Sequence, residues 1–191
     1  KFCGSPAKSL AQDEKPEYMT KRVLPIIKWI YVPYCKCLEG NCMNGYSVYT
    51  FGKNCEHKFE GVMKKGRAVD GKYTWDNGKT WYEGKLVKGV SHDNTGKARM
   101  KRWDGTIIEG SFVDGTVTGK AKVYNPDGTV EEGEYDENSI LNGYGTYKWT
   151  KGRYAGSAYA GNFKESRFNG YGEMNLSVDH SIKQEINKDE I

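Results

Sequence analysis

Tyr82-Glu83-Gly84-Lys85-Leu86-Val87-Lys88-Gly89 is the clearest copy of a pattern that recurs through most of this 191-residue chain. In most copies a glycine follows a glutamate, and an aromatic or apolar residue stands two positions before the glycine. Successive copies are 23, 26, 23 and 28 residues apart. A period of this length is typical of repeat architectures, in which each unit packs against its neighbours. The anchor glycines of the five copies are Gly61, Gly84, Gly110, Gly133 and Gly161.

Each copy also has an internal order that predicts two strands. An apolar residue two positions after the anchor glycine lies on the same strand face as the one before it. A second glycine follows about ten residues later, and four copies close on Asp76-Asn77-Gly78, Asp104-Gly105, Pro126-Asp127-Gly128 or Lys151-Gly152. Turns of this kind join antiparallel strands. We therefore expect strand, loop, strand and tight turn in each copy, with second glycines at Gly71, Gly96, Gly119, Gly143 and Gly170.

Composition indicates what fills the core of such a repeat. Apolar residues make up 37 % of the chain, while it contains 24 glycines and 14 tyrosines. A fold with few aliphatic residues has to bury flat rings, each of which brings about 150–250 Å² of surface. We expect both glycine series to leave room for a ring from a neighbouring strand.

The predicted fold class is all-β: an elongated single-layer twisted antiparallel sheet of consecutive β-hairpin repeats. Six units would give about twelve strands and a sheet roughly 55 Å long. The apolar, β-branched segment 23–34 predicts an N-terminal capping strand, and Val178, Ile182 and Ile186 predict a short C-terminal capping helix. The predicted parts are a flexible arm (1–22), a cysteine-rich cap with an irregular first repeat (23–57), the repeat array (58–176) and the helical cap (177–191).

Four cysteines crowd into a short polar stretch. Cys35, Cys37, Cys42 and Cys55 are candidates for two disulfides, which form in oxidising compartments. Cys35 and Cys37 would share one face of a strand and are poor partners for each other. Free thiols in a cytosolic protein are the second interpretation, and a structural zinc site, for which the spacing is unusual, is the third. The pairing stays open.

The charge is distributed in bands along the array. The net charge of +4 is too small to indicate nucleic-acid binding. Residues 61–102 carry eleven Lys or Arg against four Asp or Glu (+7), residues 103–137 two against nine (−7), and residues 138–176 five against two (+3). Such bands are typical of solvated sheet faces or of a polar recognition surface.

No catalytic constellation stands out in the sequence. Ser91, His92 and Asp93 are adjacent, but a catalytic triad is a spatial arrangement that neighbours in one loop cannot form. The sequence contains no phosphate-binding loop or nucleophile elbow and no apolar run of 18 residues. We expect no enzyme activity, no catalytic residue, no cofactor and no metal.

The repeat resembles the MORN repeat (membrane occupation and recognition nexus). Residues 82–89 match the first half of that motif, and Asn142-Gly143-Tyr144-Gly145-Thr146-Tyr147 and 169–174 match the second half. The resemblance covers about residues 38–176. Several copies depart from the motif: Ala98, Ala121 and Tyr73 stand for the second glycine of Gly-x-Gly, and Glu131 stands for the leading aromatic residue.

The resemblance implies a non-catalytic scaffold. Such arrays bind partner proteins or peptides, or a second copy of themselves, through a grooved aromatic sheet face. A contiguous apolar ribbon on a sheet face usually marks an interface. The candidate partner-binding residues are Tyr82, Phe112, Tyr135, Tyr147, Trp149, Tyr159 and Phe163, with the first place to look between Tyr135 and Phe163.

The alternative function is peripheral membrane binding, because some members of the family have been linked to acidic phospholipids. The basic band would face the lipid. The cysteine cluster favours an exported, cell-envelope or ER-luminal protein over a cytoplasmic one, and Lys188-Asp189-Glu190-Ile191 is similar to an ER-retention signal. The candidate lipid-binding residues are Lys64, Lys65, Arg67, Lys97, Arg99, Lys101 and Arg102.

Overall fold

The computed structural model describes residues 34–177, which form one open antiparallel sheet of 13 strands. Twelve of the strands follow one another in sequence order across the sheet, and a two-residue strand pairs beside the fifth. The predicted single-layer sheet of consecutive hairpins is confirmed. The arm at 1–22, the segment 23–33 and the predicted helix beyond residue 177 lie outside the described residues.

The strands are short and evenly spaced, as the glycine period predicts. Their bounds are β1 (Tyr34–Glu39), β2 (Gly45–Phe51), β3 (His57–Lys64), β4 (Arg67–Trp75), β5 (Thr80–Val87), β6 (Val90–Ser91), β7 (Asp93–Lys101), β8 (Ile107–Val113), β9 (Thr116–Tyr124), β10 (Thr129–Tyr135), β11 (Leu141–Trp149), β12 (Ala158–Lys164) and β13 (Arg167–Asn175).

The tight turns and the longer connections exchange places relative to the prediction. Two-residue turns with positive φ at both positions occur at 65–66, 88–89, 114–115 and 165–166, where the sequence predicts loops. The predicted tight turns lie instead in connections of four to eight residues: 76–79, 102–106, 125–128 and 150–157. In four of the five repeats the order is therefore strand, tight turn, strand and longer connection, whereas the five residues 136–140 join β10 to β11. Pairs such as Lys65-Gly66 adopt the tight turn because the backbone twist of the strands matches it.

The anchor glycines form a row of small residues straight across the sheet. Gly61 pairs with Gly71, Gly71 with Gly84, and Gly145 with Gly161, so these residues share one face. We call this side the ringed face. The row consists of Ser47, Gly61, Gly71, Gly84, Ala98, Gly110, Ala121, Gly133, Gly145, Gly161 and Gly172.

Aromatic rings lie directly over this row. A Cβ placed on Gly84 would stand 2.7 Å from Oη of Tyr82, and one on Gly161 would stand 2.7 Å from Cζ of Tyr159. Each ring thus belongs to the same strand, two residues before its glycine, and the expectation of a ring from a neighbouring strand is wrong at these positions. Tyr159 also covers Gly172 on the next strand.

The second glycine series serves a different purpose. Gly119, Gly143 and Gly170 have φ of 67°, 83° and 66°, and a Cβ added to any of them would meet open space or an ordinary contact. These glycines are needed for backbone conformation rather than for ring clearance. Gly71 does not belong to this series, because it lies in the row of small residues. The sequence interpretation therefore places the second strand of the first copy two residues out of register with the other copies. In the structure, Tyr73 pairs with Phe59 and Tyr82.

The opposite side, which we call the outer face, carries charges that alternate from strand to strand. Each member of the series below pairs directly with the next across seven consecutive long strands, from β3 to β10. Three of the pairs are close ion pairs: Lys72–Glu83 at 3.5 Å, Arg99–Glu109 at 2.9 Å and Lys122–Glu132 at 3.5 Å. The charge ladder is Glu60, Lys72, Glu83, Arg99, Glu109, Lys122 and Glu132.

Cross-strand opposite charges favour one register over its neighbours, and each pair contributes about 0.2–1 kcal/mol. Shifting a strand by one residue would also move its rings to the outer face. The bands seen in the sequence thus become, on this face, an alternation in space. Lys72 and Arg99 also lie over the ring of Trp81, 4.6 Å and 5.8 Å from its centroid.

Candidate functional site

The last two hairpins bring five rings together on the ringed face. Phe168 stacks on Tyr159 with centroids 4.0 Å apart and meets Phe163 at 5.4 Å and Tyr147 at 5.6 Å. Trp149 packs edge-on against Tyr147 at 4.7 Å. Contacts of this kind stabilise by about 0.5–1.5 kcal/mol per pair beyond simple burial. We call these five residues the terminal cluster.

Phe168 is the exposed member of the cluster, and its position in the repeat explains why. It pairs with Phe163 just as Val117 pairs with Phe112 and Leu141 pairs with Tyr135. Val117 and Leu141 are buried, whereas 43 % of Phe168 is exposed. Within residues 34–177 no strand follows β13, so no further hairpin covers the ring. A phenylalanine at this position therefore presents an aromatic surface.

The predicted partner-binding residues divide into two groups. Tyr147 and Trp149 are the half-buried members of the terminal cluster, to which the buried Tyr159 and Phe163 also belong. The other five are buried parts of the fold's own core. The sequence interpretation missed Phe168, although its place two residues before Gly170 marks it as the counterpart of Leu141. The buried five are Tyr82, Phe112, Tyr135, Tyr159 and Phe163.

Two of the buried tyrosines are fixed by their hydroxyl groups. Tyr82 donates to the carbonyl of Lys85 at 2.8 Å, and Tyr159 donates to the carbonyl of Asn162 at 3.1 Å. Burial, followed by the nearby charges of Asp93 and Asp70, raises the pKa of Tyr82 well above its usual range. The ring and the strand backbone therefore hold each other in place, which gives the cluster a rigid floor at Tyr159.

A second aromatic group occupies the other end of the ringed face. Tyr49 and Tyr73 share a hydrogen bond of 2.9 Å between their hydroxyls, and Tyr73 stacks on Trp75 at 5.4 Å. Between the two groups the corresponding row contains Met100, Ile108, Val123 and Glu131 in place of rings. This row of the ringed face is thus aromatic at both ends and has no ring in the middle.

The outer face also changes character at the terminal hairpins. The charge ladder ends at Glu132, and the next members of the row are Thr146 and Ala160. Tyr144 and Tyr171 stand out from this end of the sheet with 68 % and 93 % of their surfaces exposed. Cations outnumber anions among the surrounding residues, five against two between residues 138 and 176.

The structure does not bring the basic band together into one patch. Lys64, Lys65 and Arg67 surround the β3–β4 turn and line a shallow depression with Lys88. Lys101 and Arg102 lie at the other end of the strands, where Lys101 pairs with Trp81 and Ile107. Of the remaining two, Arg99 lies in the charge ladder and Lys97 lies two residues before it on β7.

The cysteines form one of the two predicted disulfides. Cys37 and Cys42 are bonded, with their Cα atoms 6.1 Å apart. Cys35 and Cys55 carry exposed free thiols. Cys3 lies outside the described residues.

Ser91, His92 and Asp93 have separate partners. His92 Nδ1 lies 3.2 Å from Asp114, while buried Asp93 accepts hydrogen bonds from the amides of Thr95 and Lys85. Burial favours a higher pKa for Asp93, but the hydrogen bonds from Thr95 and Lys85 outweigh it and lower the pKa below its usual value. Asp93 therefore holds the irregular start of β7 in place.

No protein-family profile matches this chain, and no curated protein is significantly similar to it. Within residues 34–177, no helix is long and apolar enough to cross a membrane. The same residues contain no group of three histidine, cysteine or acidic side chains placed to hold a metal ion.

Proposed function

We propose that this protein is a MORN-like repeat scaffold that binds a partner protein or peptide at the terminal cluster. The observation that supports the proposal is the exposure of Phe168, at a position that is buried in the preceding hairpins. Exposed aromatic side chains on a rigid floor are the usual anchors of protein interfaces, because they bury a large area at a small loss of conformational entropy.

The surroundings of the cluster indicate the chemistry of the partner. Apolar surface is offered by Trp149, Tyr154 and Phe168. The ring centroids of Tyr154 and Trp149 are 6.3 Å apart. Lys151 and Arg153, in the connection that carries Tyr154, contribute positive charge beside these rings, whereas Lys148, Lys164 and Arg167 alternate with the ringed residues and lie on the outer face. A segment with apolar or aromatic anchors and acidic flanks would complement both features. A second copy of the chain is the other occupant that we expect for the same surface.

A peptide-display selection on the intact protein tests the proposal. Random peptides should converge on sequences that join aromatic or aliphatic residues to acidic ones, and Phe168→Ser should abolish the enrichment. Tyr171→Ser is the matched control, because Tyr171 is a more exposed ring on the same strand but on the outer face. Enrichment that survives Phe168→Ser and is lost in Tyr171→Ser would place the binding surface on the outer face and contradict the proposal.

Self-association is measured separately by sedimentation at increasing concentration. If a second copy occupies the terminal cluster, the wild type forms dimers and Phe168→Ser remains a monomer. A dimer that persists in Phe168→Ser is held by another surface.

Binding to acidic phospholipid is the second candidate, and the depression lined by Lys64, Lys65, Arg67 and Lys88 favours it. Because the basic residues are divided between the two ends of the strands, the lipid binding of each group can be tested independently. Pelleting with phosphatidylserine vesicles should be lost in Lys64→Glu/Lys88→Glu and retained in Lys101→Glu. Pelleting that is absent, or insensitive to salt, contradicts a lipid site.

A further inference from the structure

The connection between β2 and β3, residues 52–56, folds against the beginning of β1. Cys35 lies at an irregularity in β1, between Tyr34, which pairs with Phe51, and Lys36, which pairs with Thr50. Cys55 lies in the connection and has a left-handed φ of 59°. The two cysteines are 20 positions apart in sequence, and the end of β2 brings them to the same corner of the sheet.

Both cysteines hydrogen-bond to the same backbone carbonyl, which shows that they lie close together. The thiol of Cys35 donates to the carbonyl of Gly52 at 3.1 Å, and the amide of Cys55 donates to the same carbonyl at 3.4 Å. In agreement with this closeness, a side-chain interaction with Cys55 is the first cause that raises the pKa of Cys35 above its usual value. Both side chains are exposed, so a small oxidant can reach them.

We propose that Cys35 and Cys55 form a second disulfide, which ties the edge strand β1 to the connection between β2 and β3. The bond would enclose the existing Cys37–Cys42 bridge, so that the two are nested. It is one of the pairings that the cysteine spacing leaves open, and it involves no residue of the terminal cluster. The proposal is therefore independent of the partner-binding function.

The bond forms by thiol–disulfide exchange with a small disulfide such as oxidised glutathione. One cysteine loses its proton, and its thiolate attacks the glutathione disulfide, which releases one glutathione thiolate and leaves a mixed disulfide. The second cysteine loses its proton and attacks the protein sulfur of that mixed disulfide, which releases the second glutathione thiolate. Both released thiolates take up a proton. The two cysteines are oxidised by two electrons, and one glutathione disulfide is reduced to two thiols.

The sequence makes the bond easy to identify by peptide mapping. Trypsin cleaves after Lys28, Lys36, Lys53 and Lys58, which places Cys35 in peptide 29–36, Cys37 and Cys42 together in 37–53, and Cys55 in 54–58. After incubation of the full chain with oxidised glutathione and alkylation of the remaining thiols, we expect peptides 29–36 and 54–58 to be linked. The Cys3→Ser variant should show the same link, because Cys3 takes no part in it.

Two results would overturn the proposal. One is alkylation of both Cys35 and Cys55 after oxidation. The other is a link from either cysteine to peptide 2–8, which contains Cys3, or to peptide 37–53. Oxidation should also raise the Tm of the wild type by about 5 °C. An equal rise in Cys55→Ser would show that a different bond is responsible and would contradict the assignment.

Discussion

The inner hairpins and the last hairpin use the same pattern with different results. In the inner hairpins, Val117 and Leu141 are buried on the ringed face, while Glu109, Lys122 and Glu132 alternate on the outer face. In the last hairpin, Phe168 remains partly exposed, and the row that continues the charge ladder contains the neutral residues Thr146 and Ala160 before Glu173. The difference shows that a position that is buried in the inner hairpins is exposed in the last described hairpin.

Glycine substitutions should lower the free energy of unfolding most, and by different amounts in the inner hairpins and the last hairpin. Gly84→Ala would place a Cβ 2.7 Å from Oη of Tyr82 and 2.8 Å from Cβ of Ala98, inside the buried row. We expect a loss of about 3 kcal/mol in the free energy of unfolding. Gly172→Ala would also meet a fixed ring, that of Tyr159, but Gly172 has no positive φ, whereas Gly84 has a φ of 152°, so a smaller loss of about 2 kcal/mol is expected. Urea unfolding measures both losses, and equal losses would contradict this difference between the regions.

The buried carboxylate of Asp93 tests whether polar groups also fix the inner hairpins. Asp93→Asn should lower stability by about 2 kcal/mol at pH 7, because the hydrogen bonds to a charged acceptor are weakened. Since the pKa of Asp93 is lowered in the folded state, its contribution is present above the unfolded pKa of about 3.9 and lost as the pH falls through the folded value.

The difference in stability between wild type and Asp93→Asn should therefore narrow as the pH falls from 5 towards 2. Thermal unfolding across this range measures it. Asp136→Asn is the control, because Asp136 binds similar amides but is half-exposed. A difference that stays constant with pH would mean that the carboxylate charge has no part in stability.

Reversing a charge in the ladder should have a smaller effect. Glu109→Lys places a cation between Arg99 and Lys122, and we expect a loss of about 1.5 kcal/mol at low salt. Glu173→Lys faces Ala160 and should change stability by less than about 0.5 kcal/mol. High salt should reduce the first loss, because these side chains are partly exposed. If both variants behave alike, the ladder does not distinguish the two regions.

Much of the fold could be predicted because local chemistry and global topology agree. The spacing of Gly61, Gly84 and Gly110 predicts consecutive hairpins, and the structure has them in that order. The exchange of tight turns and longer connections was missed because the Asn-Gly and Asp-Gly signatures do not separate the two: Asp114-Gly115 forms a two-residue turn, whereas Asn77-Gly78 and Asp127-Gly128 lie in four-residue connections. The charge ladder was missed for another reason: banding along the chain becomes alternation only when the register is known.

Less of the candidate site could be predicted. Tyr159 and Phe163 match the aromatic positions of the repeat, but the sequence does not show that their rings contact each other and cover Gly161 and Gly145. Phe168 looks like an ordinary strand residue until the absence of a following strand among residues 34–177 is known. Exposure depends on what comes next in the sheet, and a local pattern does not contain that information.

The most direct test is calorimetric titration of the full chain with a peptide enriched by display. Phe168→Ser should weaken binding about tenfold or more, which corresponds to about 1.4 kcal/mol, while Tyr171→Ser should leave the affinity within about twofold. Equal Tm values for the two variants would show that the effect comes from the surface. Unchanged affinity in a folded Phe168→Ser protein would contradict the assignment of the terminal cluster as the binding site.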